Sequence, residues 1–321
     1  MRLRNVHTAV CLSALLWLTA CAPSSYAVRN PEPSGVHYAV IEQPAADLAL
    51  VDSRAASERV FHSGTLSAAL TIDKAPIDPT SFLAKNLEAE LASRGIAAKV
   101  GTHAETFPRI DLKGFRIQNH RTNGYTPYIT FTFISADIET AAGKKRVGVF
   151  VKRGKVPVWS FEEVVEPTFN QPLSLAVKEL AAKISAHLYG ARADDATVDE
   201  LAAKLKTRHD NSFLDVYALG FTNNPRAIDT IAALTGDEDE YVRIAAISSL
   251  GNLHATGKLE QLKAIYHDAK LWQDRAMAIK AIGDLDTPEA KAYLAEQAAH
   301  WNAQSPDKES MWTSQVIGLY L

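Results

Sequence analysis

The sequence predicts two folded regions of different class. The first is an α+β domain, a mostly antiparallel sheet with helices on one face; the second is an all-α domain of repeated helix pairs. Three observations carry this prediction. Apolar residues alternate with period two through much of the stretch from 110 to 165. After residue 198 the chain turns Ala-rich and helical, and one nine-residue pattern recurs with its closing glycines 31 and 32 residues apart. Composition is that of a globular protein, with 47% hydrophobic and 22% charged residues over 321 positions, a length that suits about two domains.

Residues 1–20 read as a signal peptide. Arg2 and Arg4 make a positive start, and Ala9–Leu18 is almost wholly apolar. That run falls short of the ~20 residues needed to span a bilayer and suits a signal core. The chain continues Leu18-Thr19-Ala20-Cys21. This resembles the lipobox of bacterial lipoproteins. The resemblance implies that Cys21 becomes the new amino terminus, carries a thioether-linked diacylglycerol and is acylated there. Ala22 in place of Asp then implies an outer-membrane anchor facing the periplasm. An ordinary secretory signal with a chance cysteine is the alternative. Residues 21–35, rich in Pro and Ser, read as the acylated cysteine and a flexible tether reaching at most ~46 Å beyond it. Cys11 leaves with the signal, so no disulfide is expected.

The α+β domain spans 36–190. Val36–Ile41 and Phe61–Ile72 are strand candidates. Asp78-Pro79 opens a helix that carries Phe82, Leu83, Leu87 and Leu91 and ends at Gly95. Ile96–Val100, Ile110–Lys113, Phe115–Ile117 and the eleven alternating residues Tyr128–Ile138 follow as strands. Val147–Val151 and Val156–Val165 read as a hairpin joined through Lys152-Arg153-Gly154-Lys155. Pro172–Leu188 closes the domain as a helix. The helix ending LEAELASRGI, then RIDLKGFRIQ, a long strand and the helix LAVKELAAKI resembles the YajG-type periplasmic lipoproteins. Their fold is related to the amino-terminal domain of TolB and to LpoB-type and transport-auxiliary lipoproteins. That resemblance implies an accessory module with no catalytic residues.

The helical domain spans 191–321. Ser212–Gly220, Arg243–Gly251 and Arg275–Gly283 superpose, and each is followed by a turn and a second helix. This resembles HEAT repeats, with the first copy a cap that has Ser212 where the others have Arg. The resemblance implies a curved array offering a surface to a protein partner. Arg243 and Arg275 are expected to tie to acidic residues of inter-repeat turns, with Asp237, Asp239 and Asp274 nearby. Trp272 is expected in the core; Trp301 and Trp312 fit a cap or a partner surface equally. The polar run after Gly190 reads as a flexible junction, and the array from Thr197 onward is expected to fold alone.

No signature of chemistry is present. No two histidines after the signal lie within four residues of each other, so no HExxH helix exists, and there is no GxSxG elbow. GVFVKRGK at 148–155 misses the phosphate-loop spacing, and DEDE at 237–240 lacks the glycine and distal Glu of a calcium loop. No catalytic residue, metal site or cofactor is expected beyond the covalent lipid on Cys21. Residues 191–321 hold 13 basic and 20 acidic side chains, while the whole chain has net charge −3. A basic footprint for nucleic acid is therefore lacking. The basic surplus of the first region gathers in Lys144, Lys145, Arg146, Lys152, Arg153 and Lys155, either a contact for lipid phosphate or an acidic partner, or solvated strand ends guarding a sheet edge. The expected function is a lipid-anchored, non-catalytic envelope scaffold with a protein partner on the repeats. An auxiliary lipoprotein of a lipid or solute transport system is the alternative.

Overall fold

The computed structural model describes residues 25–321 apart from 66–68, 103–107, 157, 159, 161 and 306, so the signal segment and Cys21 lie outside the described residues. The chain opens with β1 (Ser25–Ala27), β2 (Leu48–Asp52), β3 (His62–Gly64), β4 (Ala69–Ile72) and β5 (Ala75–Pro76). Helix α1 (Pro79–Ser93) and β6 (Val100–Gly101) lead to three long strands, β7 (Arg109–His120), β8 (Tyr128–Thr140) and β9 (Gly143–Lys155). A short helix α2 (Glu162–Val165) passes through a π turn into α3 (Gln171–Tyr189).

The main sheet has the order β6-β2-β7-β8-β9, with β3 also paired to β7; β1, β4 and β5 form a separate small sheet. The long strands are antiparallel, while β2 and β3 run parallel to β7, so the sheet is mixed. The two alternating stretches expected at 110–117 are one strand, with a register shift between Leu112 and Gly114. Asp78 caps α1 as expected, accepting from the Ser81 amide at 2.8 Å. Gly190 ends α3 in the left-handed region, at φ +56°.

Several expected elements differ. The β8–β9 turn lies at Ala141-Ala142, and β9 runs unbroken through Lys152–Lys155, where a hairpin connection was expected. The polar run KRGK is strand because its side chains find partners on packed helices, described below. Among the described residues of Val156–Val165 no strand forms; the last four are α2. Phe61–Ile72 splits into β3 and β4, which belong to different sheets. Val36–Ile41 joins no sheet. Instead the Tyr38 amide donates to the Arg94 carbonyl at 2.9 Å, and Val40 bridges to Arg192. The sheet strand of this region is β2, a short buried apolar run with no alternation to mark it.

The run read as tether is ordered from Ser25 onward. β1 pairs with β4, Tyr26 and Val28 are buried, and Ser34 bonds the Glu90 carboxylate through both its amide (2.8 Å) and its hydroxyl (2.6 Å). The junction after Gly190 is likewise pinned. Ala191 and Ala193 are buried, and the Ala193 amide donates to the Thr222 carbonyl at 2.9 Å.

The helical region pairs α4 (Asp195–Lys204) with α5 (Ser212–Gly220), α6 (Ile228–Ala233) with α7 (Glu240–Asn252), α8 (Leu259–Asp268) with α9 (Trp272–Leu285), and α10 (Pro288–Asn302) with α11 (Lys308–Ile317). The second helix of each pair stacks on the next, giving an inner row α5-α7-α9-α11. The glycines of the recurring pattern permit this. A Cβ on Gly251 would sit 2.7 Å from the Ala281 Cα, and one on Gly283 would sit 2.5 Å from the Tyr320 ring. α11 is a further copy, Ser310–Gly318, that the sequence pattern had not revealed because α10 is long and places its glycine 35 residues after Gly283.

One hydrophobic core runs through both regions. α1 and α3 cover one face of the sheet, as expected. The opposite face, carrying Phe131, Phe133 and Ser135, is covered by the inner row of the array. Phe131 meets Trp272 at 5.7 Å and Trp312 at 4.9 Å between ring centroids, and the Ser135 hydroxyl donates to the Leu319 carbonyl at 3.0 Å. Among the described residues no helix is long and apolar enough to cross a membrane.

Candidate functional site

The six basic residues singled out from the sequence do not form one patch. Lys144, Lys145 and Arg146 lie at one end of β9, and Lys152, Arg153 and Lys155 at the other, roughly 25 Å away at ~3.3 Å per strand residue. Most of them are engaged within the chain. Arg146 and Lys144 hold the Asp137 carboxylate, the latter at 2.8 Å, and Lys145 pairs with Asp286 at 3.5 Å. Burial would raise the Asp137 pKa, but the hydrogen bonds from Arg146 and Lys144 outweigh it and hold the carboxyl low. Lys152 is buried and ion-paired with Glu240 at the start of α7. Arg153 is buried too. Its guanidinium lies 4.1 Å from the Phe213 ring centroid and 3.9 Å from that of Tyr241, and it donates to the Gln171 side chain at 2.8 Å. The acidic partners of this strand are Asp137 on the neighbouring β8 and, for Lys145 and Lys152, the chain's own repeat array; of the six only Lys144 is well exposed, with Lys155 half-exposed.

A second junction crosses from α3 to α9. Lys183 pairs with Glu179 at 2.7 Å and Asp284 at 2.6 Å, while Lys280 pairs with Glu179 at 2.6 Å and Asp284 at 2.8 Å. All four side chains are at most 6% exposed. Lys183 also donates to the Gly148 carbonyl on β9, and Tyr320 donates to Asp284 at 2.8 Å. Burial would lower the Lys280 pKa, yet Asp284 and Glu179 raise it; burial dominates at Lys183 and lowers it. Two cations and two anions close a neutral set, the form in which buried charge is tolerated.

The arginines of the repeats are structural, as expected. Arg243 pairs with Asp274 at 2.9 Å, and Arg275 with Glu309 rather than with a nearby Asp. Each reaches the acid that begins the next inner helix. Trp272 is half-buried and Trp312 buried against β8, whereas Trp301 donates to the Tyr266 hydroxyl at 2.7 Å on the outer side of the array. There it joins Tyr293, whose hydroxyl lies 3.0 Å from His267 Nε2.

The feature that sequence reasoning missed is a cleft of about 350 Å³ where the three parts of the chain meet. The ordered strap 29–36 forms one wall. A helical stripe of α3, Gln171, Ser174 and Lys178, forms the floor, and Leu214, Tyr217 and Phe221 on and just after α5 form the opposite wall. Spacings of three and four place each set on one helix face, but only the tertiary fold brings 36, 178 and 217 together. At the cleft's base Arg94, fully buried, donates to the Phe221 carbonyl at 3.2 Å and pairs with Glu90 at 2.7 Å. The Tyr38 hydroxyl donates to the same carbonyl at 2.6 Å. Among the described residues no group of three or more His, Cys, Asp or Glu is placed to hold a metal ion.

An inner row of stacked helix pairs seated on a mixed sheet thus defines the class: a repeat array fused to an α+β platform. The HEAT-repeat family model matches residues 216–276, which spans the second pair and parts of its neighbours. No curated protein matches the chain. Among solved structures, one described as the crystal structure of an uncharacterized protein aligns at 10% identity and a TM-score of 0.30, covering 51% of this chain and 99% of that one, a likeness too low to carry an argument.

Proposed function

We propose that the chain is a lipid-anchored envelope protein, held at the outer membrane through Cys21 and acting as a non-catalytic scaffold for a protein partner. HEAT repeats are protein-interaction modules, which supports a partner. One observation directs where that partner binds: the inner row, the usual binding surface of such arrays, is covered by the sheet. The outer helices α4, α6, α8 and α10 are left, and they carry ion pairs such as Lys263 with Glu289 at 3.3 Å. On this outer side the half-buried rings of Tyr293 and Trp301, seated on the buried Tyr266, are built like an interface anchor.

Site-specific photo-crosslinkers at Tyr293 and His300, in intact cells, test the reading. A discrete adduct that is lost on Trp301→Ala is expected; no adduct at either site sinks the scaffold role. Cys21→Ser separately tests the anchor. A hydroxyl cannot take the diacylglycerol, so the variant should leave the membrane fraction or keep its signal; wild-type processing and fractionation would overturn the lipoprotein reading.

A second reading, the auxiliary lipoprotein of a lipid or solute transport system, draws support from the cleft, whose volume is of small-molecule size.

A further inference from the structure

The cleft's charges are unequally satisfied. Glu166 at its rim accepts from Arg29 at 2.8 Å and from Asn170 at 2.9 Å. Glu90 beneath it is held by Arg94 and Ser34. Lys178 on the floor is half-buried and, among the described residues, makes no side-chain hydrogen bond or ion pair. Burial pushes its ammonium pKa down, helped by Arg94, with Glu90 and Glu32 pulling the other way from beyond contact distance. An ammonium drawn partly out of water with no anion in direct contact is costly, and it faces a space that would hold one. Ser174 lies one helical turn earlier on the same stripe and supplies a hydroxyl beside it. Facing this polar floor, Leu214 and the stacked Tyr217 and Phe221 rings, 5.6 Å apart, offer an apolar wall.

We propose that the cleft binds a small amphipathic carboxylate, its head on the Lys178 ammonium and the Ser174 hydroxyl and its apolar body along Leu214, Tyr217 and Phe221. The rim restricts the charge. Arg29 at the rim is already paired with Glu166, and Glu32 borders the same opening, so among the described residues no free cation there meets a second negative charge and a monoanion is selected over a phosphate dianion. The volume, near the bottom of the ~300–1,000 Å³ range of ligand pockets, selects a short body over a full-length acyl chain. This assignment concerns the cleft alone and depends on neither functional reading above.

The test is calorimetric titration of the full chain in its unacylated Cys21→Ser form with octanoate, octyl phosphate, octylamine and octanol. Octanoate should bind, and the other three at least tenfold more weakly. Lys178→Gln should weaken octanoate by about ten- to hundredfold, the worth of a charge-assisted hydrogen bond, and Lys178→Arg should restore most of it. Ala218→Phe, which fills the cleft from the α5 side, should abolish binding. Should Lys178→Gln fail to fold, protection of Lys178 in the parent chain from an amine-reactive reagent by octanoate replaces it. Absence of octanoate binding, equal binding of octylamine or octyl phosphate, unchanged affinity in Lys178→Gln, or no protection of Lys178 would each overturn the assignment.

Discussion

Arg54 and Asp52 show how a single pair can set acid stability. Arg54 is buried, donates to the Phe115 carbonyl at 2.9 Å and grips Asp52 through two bonds of 2.8 Å. Those bonds, against the opposite pull of burial, lower the Asp52 pKa from 3.8 to about 2. A carboxyl depressed in the native state stabilises it fully above the unfolded pKa and ceases to do so as pH falls through the native one. Stability should therefore drop between pH 3.8 and about 2. Asp52→Asn should be weaker at neutral pH yet lose less over that window, measured by denaturant unfolding at a series of pH values; an unchanged acid slope would refute the linkage. The buried quartet gives a second test. Lys183→Met leaves two buried carboxylates sharing one cation and should cost about 3–5 kcal/mol. Removing Asp284 as well, as Lys183→Met with Asp284→Leu, leaves the neutral Lys280–Glu179 pair and should recover part of that loss. Further destabilisation in the double variant would mean the two charges do not compensate each other.

The inner helices depend on their glycines. Gly251→Ala would drive a methyl into the backbone of α9, which cannot swing aside as a side chain does. A loss of about 1–3 kcal/mol is expected. Gly236→Ala, at a position open within 4 Å, should be nearly silent. Thermal unfolding of both variants decides it, and equal melting temperatures would show that the copies are not in van der Waals contact there. This periodicity was legible because small residues and Leu/Ile-Gly endings follow directly from helix stacking. The last copy escaped notice because the spacing stretched, although its own marks are present. Glu309 precedes Ser310 where Asp274 precedes Arg275, an acid placed to receive the arginine of the copy before it. The strands fared less evenly. Alternation marked β7 and β8, but Lys152 and Arg153 read as a turn, because a polar residue on a strand looks solvated until its partner is known. Those partners, Glu240 and Tyr241, are some 88 residues away along the chain.

The sheet and the array complete each other, and this could not be read from either pattern alone. Each half displays an ordinary amphipathic face, and nothing in one sequence segment says which other segment covers it. Phe131, Trp272 and Trp312 would all lose their cover if the regions parted. The expectation that the array folds alone is accordingly revised. A fragment from Thr197 to the end should be helical by circular dichroism but melt well below the intact protein and bind a hydrophobic dye. A fragment as stable as the parent, with no dye binding, would restore its independence. The cleft was illegible for the same reason: Lys178 is an unremarkable helix lysine until the strap and α5 close around it.

The ordered strap also bears on mechanics. A slack leash would absorb displacement between the proposed anchor at Cys21 and the body. From Ser25 onward the chain is instead paired to the body. Tension arriving there would be borne in shear by the Ser25–Ala69, Tyr26–Leu70 and Ala27–Thr71 pairings, and next by Arg29 on Glu166 and Ser34 on Glu90. Because Arg29 and Ser34 also line the cleft, the force path runs along its wall, and a pull strong enough to strip β1 and peel the strap would open the pocket before it disturbed the main sheet.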